Sequence, residues 1–128
     1  MVAMWGMRIE QRMWLALVAV AEDGRIAGFA RADFPTKRRP VGDVVADVVV
    51  EYLVVHEDSR GNGVGRRLDQ ELRDRLVGRG EIAALDVESH NSEAFAFWTA
   101  CGWTYCAEEK NQGQGGGSRY VFTHDLRP

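Results

Sequence analysis

The segment Arg60-Gly61-Asn62-Gly63-Val64-Gly65-Arg66 is the part of the chain best suited to chemistry. Its alternating glycines let a backbone approach a ligand and expose consecutive N–H groups. A helix beginning at its end adds partial positive charge, and Arg60, Arg66 and Arg67 add formal charge. Together these make an anion site suited to a phosphate or pyrophosphate. It is not a GxxxxGK[ST] loop, and Gly61-x-Gly63-x-Gly65 lacks the last glycine of a dinucleotide fingerprint. A plain flexible turn would need neither three glycines nor arginines at a helix start. Just upstream, two carboxylates, Asp47 and Glu51, interrupt a run of Val, Ala, Tyr and Leu, where each requires an explanation.

The elements that must position these residues follow from periodicity. Residues 44–55 form one long strand, with Val44, Ala46, Val48, Val50, Tyr52 and Val54 on one face and Val45, Asp47, Val49, Glu51, Leu53 and Val55 on the other. A strand apolar on both faces belongs in the middle of a covered sheet. Residues 13–21 and 25–34 are strands joined at Asp23-Gly24, a strong hairpin signal. Gly28 inside the second marks a bulge or a close backbone approach. Residues 1–12 are weakly patterned, a short helix or a disordered start, and Pro35 to Gly42 is a basic loop. A helix over about 65–78 carries Leu68, Leu72 and Leu76 on one stripe. Ile82 to Val87 is a buried strand. Asn91 caps a helix over about 92–101 with Ala94, Phe97, Trp98 and Cys101 inward, and Gly102 ends it. Strands at 103–107 and 119–125 flank a glycine-rich loop, Gln112 to Ser118. The outcome is a mixed α/β arrangement around one sheet.

With 128 residues, the chain suits a single domain spanning 1–128. A net charge of −3 does not mark a nucleic-acid binder. Cys101 and Cys106 form no CxxC pair and no histidine cluster accompanies them, so neither a metal site nor a disulfide is expected. They read as two reduced, mostly buried thiols of a cytoplasmic protein. Arg8 and Arg12 before the apolar run 13–21 imitate a secretory signal, but the turn at Asp23-Gly24 and the second run favour a strand. No run is long enough to cross a membrane as a helix.

The glycine segment resembles the acetyl-CoA loop of the Gcn5-related N-acetyltransferase (GNAT) family, Gln/Arg-x-x-Gly-x-Gly/Ala, with Arg60, Gly63 and Gly65 at the matching positions. Glu51-Tyr52-Leu53-Val54-Val55-His56 resembles that family's central strand. Asn91-x-x-Ala94-x-x-Phe97-Trp98-x-x-x-Gly102-Trp103 resembles its second signature, Asn-x-x-Ala-x-x-Phe-Tyr-x-x-x-Gly-Phe. The likeness covers about residues 13–125 and implies a mixed, mainly antiparallel sheet flanked by helices.

It also implies roles. The backbone of Leu53, Val54 and Val55 would pair with the pantetheine arm of acetyl-CoA. The amides of Asn62, Gly63, Val64, Gly65 and Arg66 would hold the pyrophosphate, with Arg60 and Gly61 part of the same cofactor-binding loop. Asn91 would touch the pantetheine or diphosphate, and Phe97 and Trp98 would lie near the thioester. An alkyl amine with a pKa of about 10 must lose a proton to attack that thioester, so a general base helps. Glu51 is the candidate, since burial in an apolar strand would raise its pKa; Asp47, one strand repeat away, is the second. A backbone N–H near Val54 or Val55 would stabilise the oxyanion.

Two departures stand out. The family's tyrosine, which protonates the leaving thiolate, is replaced by Trp98, whose indole is no acid; Tyr105 is the substitute candidate. The family's N-terminal strand and helices are also expected to be shortened, since only residues 1–12 precede the first expected strand. The implied function is transfer of an acetyl group to a primary amine of a small metabolite, an antibiotic or a protein. The rival is an acyl-CoA-binding protein with little catalysis, a sensor or partner subunit, and behind it a nucleotide-binding module. An incompletely covered sheet would favour a homodimer.

Overall fold

The computed structural model describes residues 6–10, 13–110 and 117–128, the first of these segments by its backbone only. The strands are β1 (Gly6–Glu10), β2 (Trp14–Val20), β3 (Ile26–Asp33), β4 (Arg39–Val41), β5 (Val44–Ala46), β6 (Val48–Val55), β7 (Ile82–Glu88), β8 (Thr104–Lys110) and β9 (Ser118–Asp125). The helices are α1 (Val64–Leu76) and α2 (Ser92–Ala100), and Glu57–Ser59 forms one 3-10 turn. Seven strands make one sheet in the order β1-β2-β3-β6-β7-β9-β8. Every neighbouring pair is antiparallel except β6 and β7, which are parallel and joined through α1. The expected mixed, mainly antiparallel sheet is therefore present, and β6 lies at its centre.

Both helices cover the same face. Leu68, Leu72 and Leu76 of α1, with Trp98 and Cys101 at α2, share a core with Leu15, Leu17, Val48, Val50, Leu85 and Phe122. The opposite face is covered among the described residues mainly by the β4–β5 hairpin, where Val41, Ala46, Val49, Ala84 and Val121 form a smaller cluster. Part of that face stays open, with Phe29, Tyr52 and Val54 exposed.

The Asp23-Gly24 turn forms as expected, closed by hydrogen bonds from Ala21 N to Arg25 O (2.8 Å) and Gly24 N to Ala21 O (2.9 Å). Gly28 meets both of its expectations. The β2–β3 register shifts beside it, and a Cβ there would lie 2.6 Å from the Val54 carbonyl oxygen.

Four expectations are corrected. Residues 6–10, read as helix or disorder, form β1 and pair with residues 15–19 of β2; the rest of that stretch, 1–5 and 11–12, lies outside the described residues. The loop at 35–42 contains β4, which pairs with β5 across Gly42-Asp43. The strand expected over 44–55 breaks at Asp47. There the backbone turns to Ile82, and the carboxylate accepts hydrogen bonds from the N–H groups of Glu81 (2.7 Å) and Ile82 (3.1 Å), fixing the start of β7. Finally, Cys106 is exposed rather than buried. The β8–β9 register slips between Tyr105 and Ala107, leaving Cys106 as the extra residue of a bulge. Residues 111–116, most of the expected glycine-rich loop, also lie outside the described residues.

Candidate functional site

The parallel pairing of β6 and β7 is brief. It joins Val48 to Ala83 and Val49 to Ala84 and goes no further, although β6 runs on to Val55 and β7 to Glu88. Beyond that point β6 remains bonded to β3 on one side only, so the β7-facing edge of its last residues is unpaired by β7. A cleft of about 410 Å³ opens there, lined by Leu53, Val54, Val55, Arg60, Asn91, Glu93, Ala94, Phe97 and Trp98. A free strand edge inside a cleft offers N–H and C=O groups to an extended ligand that can add as a further strand.

A bulge sets which side chains face this cleft. In the β3–β6 register Arg31 pairs with Tyr52 and Ala32 with Val50, so Glu51 is the extra residue. The simple alternation expected for 44–55 is thus overturned. Val48 and Val50 face the helix-side core before the bulge, and Leu53 and Val55 pack against it afterwards. Tyr52 and Val54 turn to the open face.

At the mouth of the cleft the chain makes its glycine turn. Gly61 (φ 82°) and Gly63 (φ 78°) are left-handed, a conformation that costs other residues about 1 kcal/mol or more. Gly63 caps α1 without a side chain to bond its first turn, and no acid lies in that turn. The amides there are accordingly available to an anion. Arg60 Nε donates to the Val55 carbonyl (3.3 Å), holding the guanidinium at the end of β6. Asn62 Nδ2 reaches the Ser59 carbonyl at 3.4 Å, and Val64 is buried in the core. Gly65 is needed for space: a Cβ would lie 3.0 Å from Phe97 Cε1 and 3.3 Å from Val55 Cγ2.

Of the residues expected to bind a cofactor, Leu53, Val54, Val55, Arg60, Asn91, Phe97 and Trp98 line the cleft. Gly61, Asn62, Gly63, Val64, Gly65 and Arg66 form the turn and helix start beside it. Asn91 spends its carbonyl oxygen on capping α2, accepting from Ala94 N at 3.0 Å, which leaves its amide nitrogen as the group to offer a ligand. Phe97 stands edge-to-face with Trp98 (4.9 Å), and Trp98 with Trp103 (5.4 Å).

The candidate bases are not where strand periodicity put them. Glu51 was expected in an apolar environment, but it is exposed at the bulge and ion-paired with Arg39 of β4. Its carboxylate does not line the cleft. Asp47 is structural: the two backbone N–H groups of Glu81 and Ile82, then Arg38, hold its carboxyl below the usual carboxylate range. A group so stabilised as an anion is a poor base. Tyr105 lies away from the cleft, on β8 against Phe95, Tyr120 and Phe122.

Sequence reasoning missed Asp69. It is fully buried on α1, accepting from Trp103 Nε1 (2.8 Å) and Arg73 Nε (2.9 Å). The signal was Trp103 itself, since a buried indole N–H needs an acceptor. Among the described residues no group of His, Cys, Asp and Glu could hold a metal ion, and no helix is long and apolar enough to cross a membrane.

The site is thus a seven-stranded sheet that parts beside its central strand, over a glycine turn leading into a helix. The family profile of the GNAT acetyltransferases matches residues 4–103, and the chain belongs to that family. Among solved structures it is similar to nourseothricin acetyltransferase (TM-score 0.73, 23% identity, covering 90% of this chain and 66% of that one). It is also similar to the ribosomal-protein-S18-alanine N-acetyltransferase of Escherichia coli (TM-score 0.72, 20% identity, covering 93% and 73%). A Bacillus anthracis protein described as a streptothricin acetyltransferase, solved in complex with acetyl coenzyme A, is similar as well (TM-score 0.73, 17% identity, covering 91% and 65%). The chain spans just under two thirds of the first and third of these proteins. No curated protein matches it in sequence.

Proposed function

We propose that residues 1–128 form one N-acetyltransferase unit that binds acetyl-CoA in the cleft between β6 and α2 and passes the acetyl group to a primary amine. The observation that carries this reading is the parting of β6 from β7 after Val49 and Ala84, with the end of β6 beside the N-terminus of α1, which has no side-chain cap. The free edge of Leu53, Val54 and Val55 suits the amide-bearing pantetheine arm, and the Gly61–Arg66 turn with Arg60 suits the pyrophosphate. The thioester would then lie toward Phe97 and Trp98. The amine nitrogen attacks the thioester carbon, the C–S bond breaks, and the thiolate of CoA leaves. Glu51 takes the amine proton through a water, since its carboxylate stands outside the cleft. With Trp98 in the tyrosine's place and Tyr105 outside the cleft, in a separate cavity, the thiolate takes its proton from solvent, tolerable for a thiol of pKa about 8.5.

The acceptor is a small-molecule or protein amine. A second reading, an acyl-CoA-binding protein with little catalysis, is favoured by buried Trp98 and by the Arg39 clamp on Glu51. The exposed residues Phe29, Tyr52 and Val54 on the open sheet face support a homodimer, which light scattering across the micromolar range tests. A cytoplasmic location is part of the same reading.

Isothermal titration with acetyl-CoA, against CoA, ATP and NAD, tests the donor site, and an amine screen then tests turnover. Selective micromolar binding with turnover supports acetyl transfer. Binding without turnover of any amine supports the second reading, and no binding of acetyl-CoA overturns both.

A further inference from the structure

A second cavity, of about 440 Å³, lies on the other flank of α2, lined by Ser89, Ser92, Phe95, Tyr105, Glu108 and Tyr120. Its composition differs from that of the donor cleft. Three aromatic rings form one wall: Phe95 lies 5.5 Å from Tyr105 and 5.2 Å from Tyr120, and Tyr105 lies 5.7 Å from Tyr120. Glu108 is the one formal charge among the lining residues, and no described residue pairs with its carboxylate. The hydroxyls of Ser89, Ser92, Tyr105 and Tyr120 likewise have no hydrogen-bond partner among the described residues.

The bulge at Cys106 creates this grouping. Tyr105 and Glu108 are three positions apart, which in a regular strand puts them on opposite faces. With Cys106 extra, Tyr105 pairs with Phe122 and Glu108 with Tyr120, so both turn toward α2 and Phe95. Bulges commonly re-aim a side chain beside a functional site.

From this juxtaposition of aromatic faces, unpaired hydroxyls and one unpaired carboxylate, we infer that the cavity binds an alkylammonium group at a site separate from the donor cleft. Ring faces attract a cation, Glu108 and the hydroxyls accept its N–H groups, and Phe95 covers its alkyl stem. The inference stands whether or not the protein transfers acetyl groups.

The test is an amide-resolved NMR titration of the full chain with n-butylammonium chloride, with 1-butanol as the neutral counterpart of the same shape. Saturable shifts should appear at Ser89, Ser92, Phe95, Tyr105 and Glu108. Affinity should fall about tenfold for 1-butanol, and about tenfold for ammonium binding to Glu108→Gln or Tyr105→Leu. The shifts should persist when acetyl-CoA is present in excess. Equal binding of 1-butanol, an unchanged affinity in Glu108→Gln, the absence of saturable shifts, or displacement by acetyl-CoA would each overturn the inference. A failure of acetyl-CoA itself to bind would leave it intact.

Discussion

The indole Nε1 of Trp103 donates to Oδ1 of Asp69 at 2.8 Å, tying the end of α2 to the middle of α1 in the core. Arg73 holds the other oxygen. From Trp103 the aromatic contacts run through Trp98 to Phe97, which closes on Gly65. One buried carboxylate thus supports the wall of the cleft beside β6 from behind. Asp69→Ala would orphan the indole N–H and release Arg73, costing about 2–4 kcal/mol, and Trp103→Phe would leave a carboxylate oxygen without its donor, costing about 1–3 kcal/mol. Urea unfolding of both single variants and the double variant checks this. The double variant should lose less than the sum of the two.

Gly65→Ala tests the space at the head of α1. The position is helical, so the backbone tolerates alanine, which is the better helix former. The new methyl would meet Phe97 at 3.0 Å and push it into the cleft. Acetyl-CoA affinity should fall about tenfold or more while stability changes by less than about 1 kcal/mol. Gly63→Ala should do the reverse in kind. Nothing lies within 4 Å of its Cβ, but its left-handed backbone is strained, so stability falls by about 1 kcal/mol. Calorimetric titration and thermal unfolding of the two variants separate clash from strain.

Much of this arrangement was legible in the sequence. The leucine stripe of α1, the Asp23-Gly24 hairpin, the Asn91 cap and the two signature segments all stand where local pattern and resemblance put them. The errors fall where local pattern is silent. A bulge needs no marker residue, so Glu51 and Cys106 look like ordinary strand positions, yet each reverses the alternation around it. Asp47 looks like a strand carboxylate because its partners, Glu81 and Ile82, lie far along the chain. Gly42-Asp43 between short apolar runs was a hairpin signal masked by the arginines and prolines before it.

The two cysteines should separate by reactivity. Burial, then neighbouring Asp69, pushes the Cys101 thiol up to about 11, so it stays protonated at neutral pH. Cys106 is exposed at its bulge, with Sγ 3.1 Å from Thr123 Oγ1. Iodoacetamide at pH 7.5 should alkylate Cys106 in the folded protein and reach Cys101 only after denaturation, which peptide mass spectrometry reads directly.

Asp47 gives stability a defined acid dependence. Its folded carboxyl is held below the usual range, so its contribution is complete above the unfolded value of about 4 and is lost as pH falls through the folded value. Asp47→Ala should cost about 1–2 kcal/mol at pH 7, because two N–H groups at the start of β7 lose their acceptor at a partly exposed site. Measured below pH 3, the gap between wild type and variant should narrow. A gap constant from pH 7 to pH 2.5 would mean that the carboxylate charge is not what holds β7.

Glu51→Gln isolates the proposed base. The substitution keeps the side chain's length at the bulge and removes the charge that Arg39 holds. Because Glu51 lies outside the lining of the proposed acetyl-CoA cleft, acetyl-CoA affinity should change by less than about threefold, under 0.7 kcal/mol. Turnover of the amine found by screening should fall by about 10²–10⁴, the range of a lost general base. Weakening one of Arg39's two ion pairs, the other being with Asp33, should cost the fold at most about 1 kcal/mol, so thermal unfolding distinguishes lost chemistry from lost structure. Undiminished turnover in a stable variant would remove Glu51 from the reaction and leave the Arg39–Glu51 pair as a tie between the β4–β5 hairpin and the central strand.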